Sequence, residues 1–263
     1  MHRKYLGALV GVLPGTFLAV ALAVSFPALA QEEASTPRKW TGSGELGLTS
    51  ASGNTRSQNL NALLSVGLDE GRWHHDASAF WLRSRGNVLI DDNGVARSTT
   101  RDTANRFGVN LSSAYDLSKR SYLVGSARYD HDNFASYQWR GVAGIGYGYR
   151  WFDDARRHLL TEFGPGFRRS REAATGHVAN ETIVRGLADF SWRLTDNTKL
   201  LDTLLLETGR LSTFVQNDIG LQVAMSKRLA LKLGYQVRYN SKVDPGFKKT
   251  DTVTTLNLVY AVE

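Results

Sequence analysis

The sequence predicts an all-β fold, a transmembrane antiparallel up-and-down β-barrel of about twelve strands, and three observations predict it. Apolar residues recur with a period of two along most of the chain, the connections between these stretches alternate in length, and aromatic residues gather at stretch ends. A helix would scatter the same apolar rows around its circumference.

Residues 1–30 read as an export signal. Arg3 and Lys4 give a basic start, and Leu6 to Val24 form an apolar stretch broken by Pro14 and Gly15. Ala28-Leu29-Ala30 supplies the small-x-small site that signal peptidase reads. The break at Pro14 leaves a continuous run shorter than a spanning helix needs, so cleavage after Ala30 is expected rather than anchoring. A polar lead-in at 31–39 then precedes a barrel at 40–263.

The first strand sets Trp40, Gly42, Gly44, Leu46 and Leu48 on one face against Thr41, Ser43 and Glu45. The second sets Leu60, Ala62, Leu64, Val66 and Leu68 against Asn59, Asn61, Ser65 and Gly67, and a weaker one covers 73–85. Phe107, Val109 and Leu111 oppose Arg106, Gly108, Asn110 and Ser112, with a weaker strand at 121–130. Trp139, Ala143, Ile145, Tyr147, Tyr149 and Trp151 oppose Arg140, Gly144, Gly146 and Arg150. Weaker strands cover 158–168, 181–194, 198–208, 213–225 and 251–262. The clearest is Leu229, Leu231, Leu233, Tyr235, Val237 and Tyr239 against Lys232, Gly234, Gln236 and Arg238.

A soluble sandwich or ligand-binding barrel also alternates, so the connections decide. Those near Glu70, Ser118, Asp154, Asp196 and Lys227 are short; those around Asp92, Asn133, Thr175 and Pro245 are longer and polar, with shorter ones at Gly53 and Gly209. That order matches periplasmic turns and extracellular loops. Trp40, Trp73, Tyr115, Trp151, Trp192 and Tyr260 lie beside the short turns, and Trp81, Phe107, Tyr129, Trp139, Phe167, Phe214 and Tyr239 near the opposite ends, as two interfacial girdles. A mean hydropathy of −0.29 fits strands that turn half their residues to a polar lumen and excludes a helical membrane protein.

Trp40-Thr41-Gly42, Gly53-Asn54-Thr55, Tyr129-Asp130 with Phe134, Arg140-Gly141 leading to Gly144-Ile145-Gly146-Tyr147, and Gly164-Pro165-Gly166-Phe167-Arg168 follow one another along most of the chain. In this order they resemble an uncharacterised, YdiY-like family of salt-induced outer membrane proteins of Gram-negative bacteria. The resemblance implies a cell-envelope barrel with a role in the response to salt. Independently, Gly-Asn suits a two-residue hairpin turn, and Pro165, lacking a ladder donor, marks a bulge or unpaired edge. Glu263 ends the chain where an aromatic residue read by the barrel-assembly machinery is usual.

Inward positions collect Arg106, Arg128, Arg140, Arg150, Arg168, Arg185, Lys232 and Arg238 against Glu45, Asp130, Glu162, Asp189, Asp218 and Asp251. Gly144, Gly146 and Gly148 would share the inner wall with Gly164 and Gly166, leaving a groove that admits side chains, a loop or a solute, or that merely relieves crowding at a bend. A narrow lumen of mixed charge reads as a salt-bridged plug or as a small-solute channel mildly favouring anions.

The 263-residue chain has no cysteine, which removes disulfides and thiolate metal sites. The charge of +7, from 32 basic and 25 acidic residues, falls to +5 without Arg3 and Lys4 and is spread over nearly every segment, so no nucleic-acid partner is expected. His74 and His75 point to opposite faces of a strand and cannot share a metal. Asp130-His131-Asp132 at a rim is the nearest approach to a hydrolytic pair, and no serine cluster or phosphate loop accompanies it. The expectation is no enzyme, cofactor or metal, with lipid, the assembly machinery and small solutes as partners. A soluble periplasmic barrel and a rim hydrolase are the remaining alternatives.

Overall fold

The computed structural model describes residues 38–51, 57–92, 95–243 and 248–262. The expected export signal at 1–30, the Gly53-Asn54-Thr55 turn, the loop at Pro245 and the terminal Glu263 lie outside the described residues. Twelve strands run in chain order: β1 (Lys39–Ala51), β2 (Ser57–Glu70), β3 (Trp73–Asp92), β4 (Val95–Asp116), β5 (Ser121–Asp132) and β6 (Tyr137–Asp153) are the first half. β7 (Arg157–Glu172), β8 (Val178–Arg193), β9 (Thr198–Gly209), β10 (Thr213–Ala224), β11 (Leu229–Asn240) and β12 (Thr250–Val262) are the second. Each pairs antiparallel with its sequence neighbours, and β1 closes on β12 through Gly42↔Val262 to Gly47↔Asn257. Closure leaves no sheet edge, the condition for strands to cross hydrocarbon with every backbone group paired.

Alternation decides which side chains face out. Leu46, Leu64, Leu123, Ile145, Phe163, Leu204, Leu233 and Leu258 all project from the outer wall and stay exposed. In water, such a continuous apolar belt would be a large unfavourable patch; in a bilayer, it is the surface that lipid covers. One row is broken, because Asp202 sits between Leu200 and Leu204 on β9 and accepts a hydrogen bond from Asn217 Nδ2 of β10 at 2.6 Å.

Four of the five short turns share one device. Ser118, Asp154, Thr195 and Ser226 each follow the last strand residue or the one after it and accept the N–H of the residue three positions on, at 3.0, 2.8, 3.1 and 3.1 Å. A short oxygen-bearing side chain thereby mimics a backbone turn. The fifth, after β2, uses Gly71 at φ 62°, a left-handed conformation that glycine adopts without a Cβ clash.

At the opposite end the strands are uneven. β2 pairs with β3 only up to Ser57↔Gly86, whereas β3 and β4 continue from Asn87↔Thr100 to Asp92↔Val95. The polar connection expected around Asp92 is therefore a two-stranded hairpin standing roughly 20 Å clear of the wall at about 3.4 Å per residue. A register shift between Ser84 and Arg85 bends it where it leaves the barrel.

Candidate functional site

The long-loop half of the lumen is filled by side chains that cross it. Arg128 on β5 donates to Glu207 on β9 at 2.7 Å and pairs with Asp130 two residues along its own strand. Arg168 on β7 donates to Glu181 on β8 at 2.6 Å and lies 3.9 Å from Glu207. Arg238 on β11 donates to the Tyr137 hydroxyl of β6 at 2.6 Å and faces Asp132 at 3.5 Å. Arg140 on β6 reaches Asn240 on β11 at 3.1 Å, and Arg106 on β4 donates to Gln236 on β11. Arg128–Glu207, Arg238–Tyr137, Arg238–Asp132, Arg140–Asn240 and Arg106–Gln236 join strands four to six places apart around the closed wall, so side chains bridge the lumen at this level.

Phe214 is at the centre of the network and is wholly buried. The guanidinium carbons of Arg128, Arg140 and Arg238 lie 4.9, 5.2 and 5.5 Å from its ring centroid, and that of Arg140 lies 3.9 Å from the Tyr137 ring. A buried guanidinium is costly unless it is paired or set over a ring face. Among the described residues Arg140 has no carboxylate within ion-pair distance, so the two aromatic faces and Asn240 hold it. Arg168 and Glu207 are each 1% exposed, as deeply buried as the apolar Ile183 beside them.

From Arg106, Arg128 and Glu207 of this cluster a cavity of about 870 Å³ extends toward the short-turn end, lined there by Glu45, Asp76, Glu162, Asp189, Asp218 and Lys232. Lys232 pairs with Glu45 at 2.8 Å, and Arg185 with Glu162 at 2.9 Å. Among the described residues Asp189 accepts from Thr203, and Asp218 from Gln216 and Gln236. Both regions hold charges of both signs: the guanidinium cluster contains Asp130, Asp132, Glu181 and Glu207, and the chamber contains Lys232 and Arg185 beside Glu45 and Glu162. At the short-turn mouth Arg150 donates to Asp116 at 2.8 Å and covers the Tyr122 ring at 4.6 Å.

The inward set read from alternation, including Glu45, Arg106, Arg128, Asp130, Arg140, Arg150, Glu162, Arg168, Arg185, Asp189, Asp218, Lys232, Arg238 and Asp251, all falls on the lumenal face of its strand. Trp40, Trp73, Trp81, Tyr129, Trp151, Trp192, Tyr239 and Tyr260 are exposed on the outer wall, with Tyr115 and Trp139 half-buried among them. Phe214 is the exception: expected in the outer girdle, it points inward, because Phe214 pairs with Asn240 on the lumenal side of β11.

Of the readings open for the glycine positions, filling by side chains and close backbone approach have geometric support. Gly144, Gly146, Gly164 and Gly166 do lie on the inner wall, but the space is taken. A Cβ on Gly148 would overlap the Tyr122 ring, and one on Gly164 would overlap the Ile145 carbonyl of the adjoining strand. Around Pro165 the ladder skips from Gly144↔Gly166 to Tyr147↔Phe163, so glycine here permits two backbones to close up at a sharp bend.

His74 faces inward to Asp69 and Asp116 at 2.7 and 3.0 Å, while His75 faces outward to Ser113 at 2.9 Å. Asp130-His131-Asp132 is likewise divided by the wall: both carboxylates join the plug, and His131 stacks on Phe107 at 5.1 Å outside. Reasoning from sequence missed Tyr137, Glu181, Glu207 and Asn240. Tyr137 is turned inward by a register shift before Trp139, and Glu207 follows Leu204-Leu205-Leu206, a run that hides its face.

The family model described as "Protein of unknown function, DUF481" matches residues 44–262. Over 234 residues the chain is 28% identical to "Uncharacterized protein YdiY" of Escherichia coli strain K12, covering 88% of this chain and 86% of that one. Among solved structures it is similar to the NanC porin, with a TM-score of 0.51 at 11% identity over 84% of this chain and 98% of the other, a likeness of fold. With the family match spanning nearly the whole barrel, this chain is a member of the DUF481 family.

Proposed function

We propose that this protein is an outer-membrane barrel of the bacterial envelope whose lumen is closed by its own side chains, a structural element and not an open pore. The observation that carries the reading is the set of hydrogen bonds across the lumen, from Arg128 to Glu207, Arg238 to Tyr137 and Arg140 to Asn240. Fully buried charges joined in this way have little room for a solute to pass.

The outer-membrane location rests on the apolar outer belt, its aromatic margins and the even strand number with short turns at one end. In this reading the short turns face the periplasm, the chamber opens to that side, and the plug faces outward. The export signal with cleavage after Ala30 and insertion by the barrel-assembly machinery complete the route. The link to salt stress rests on family resemblance alone. A narrow channel is the second reading, favoured by the 870 Å³ chamber that stands open within the lumen.

Two measurements test this together. Fractionated cells should yield the protein in the outer membrane with Gln31 as its first residue. Liposomes carrying the refolded protein should not swell in small sugars or amino acids. Swelling at a rate typical of porins would favour the channel, and soluble periplasmic recovery would defeat both readings.

A further inference from the structure

The outer wall carries a depression that the lumenal account does not use. Cross-strand pairing places Leu111, Ala127, Ala143 and Phe167 side by side on β4 to β7. The small residues between Leu111 and Phe167 leave a hollow of about 720 Å³, continued toward the short-turn end by Gly125, where a Cβ would meet nothing within 4 Å. Its lining is almost wholly apolar, and it opens sideways into the belt where acyl chains lie.

Directly above, toward the long loops, the next row is Val109, Tyr129, Gly141 and Arg169, and the one after is Phe107, His131, Trp139 and Arg171. Arg169 and Arg171 are exposed and form no ion pair among the described residues. They therefore stand unneutralised at the level of the aromatic girdle, where lipid headgroups begin. Elsewhere on that rim Arg83 and Arg85 share the Asp102 carboxylate at 3.0 and 2.7 Å, whereas the β7 pair has no acidic partner among the described residues.

We infer that this face binds a lipid with a phosphorylated headgroup, its phosphate held by Arg169 and Arg171 and an acyl chain lying in the hollow beneath. Guanidinium suits a phosphate oxygen pair in geometry and charge, and the chain gains contact with Phe167 and Leu111 that a flat wall would not offer. The inference rests on the reading of the long-loop end as the outer leaflet only for the source of the lipid, not for the binding itself.

The test uses refolded full-length protein in neutral detergent, where location plays no part. Native mass spectrometry compares a bisphosphorylated lipid A with its dephosphorylated form, and inorganic phosphate is added as competitor. The wild type should prefer the phosphorylated lipid by roughly tenfold or more, as two surface cations imply. R169Q/R171Q should abolish the preference, whereas Lys227→Gln at the short-turn end should keep it. Gly125→Leu, which fills open space, should weaken both lipids alike. Equal binding of the two lipids, an unchanged preference in R169Q/R171Q, or an equal loss in the Lys227 variant would overturn the proposal. Displacement by inorganic phosphate alone would make this a free-anion site and overturn the lipid assignment.

Discussion

Phe214 shows how strand parity governs the place of an aromatic residue. Val215, Ile219, Leu221 and Val223 alternate with Gln216, Asp218 and Gln222, so parity already sets Phe214 on the lumenal side with Asp218, and three guanidinium groups surround its ring there. Replacing it with alanine removes the hub of the plug, and the expected loss is about 3–5 kcal/mol, the usual range for a buried phenylalanine. Urea unfolding of the refolded protein reads this directly; a loss under about 1 kcal/mol would mean that the arginines hold themselves without the ring. Gly146 makes the complementary case. With Val124 at 3.5 Å and the Phe163 carbonyl at 3.1 Å from a Cβ placed there, Gly146→Trp should overpack the wall and lower stability by roughly 1–3 kcal/mol. An unchanged midpoint would show that the inner wall is open at this bend.

At the scale of elements, legibility followed the cleanness of the alternation. β11 could be read residue by residue, because Leu229 to Tyr239 alternates without a break, and the structure pairs it as expected with β10 and β12. β9 could not, since Leu200-Leu201 and Leu204-Leu205-Leu206 put leucine on both faces and conceal Glu207, Asp202 and the inward Leu205. Strand ends at the long-loop side are less legible, for polar residues that ladder in water beyond a membrane look like loop. The short turns are more legible than their length suggests once the recurring Ser, Asp or Thr is seen as a backbone mimic. At Asp154, the Arg156 and Arg157 amides, with the Arg157 guanidinium, hold the carboxyl below the ordinary aspartate value. A lowered value means that the turn is supported above ordinary aspartate pH and loses that support as pH falls through the shifted one. The amide resonances of Arg156 and Arg157 should therefore titrate with a midpoint below 3.8, and Asp154→Asn should remove the titration. A midpoint above 3.8 would contradict the cap.

For the whole molecule, the wall and the plug obey opposite rules. The wall follows from period two and lipid exposure, so it was visible in the sequence; the plug depends on which inward side chains meet across the lumen, which no spacing along the chain reveals. Counting inward charges gives a nearly balanced lumen, and the barrel brings them together across its width, with Arg128, Arg168 and Arg238 meeting Asp130, Glu181, Glu207 and Asp132. Buried pairs of this kind are weakly screened, so closure should persist as salt rises. Planar-bilayer recording of the refolded wild type tests that closure most directly. No open-channel current is expected at any voltage in either about 0.1 M or about 1 M salt, and steady single-channel steps from the wild type would contradict the account.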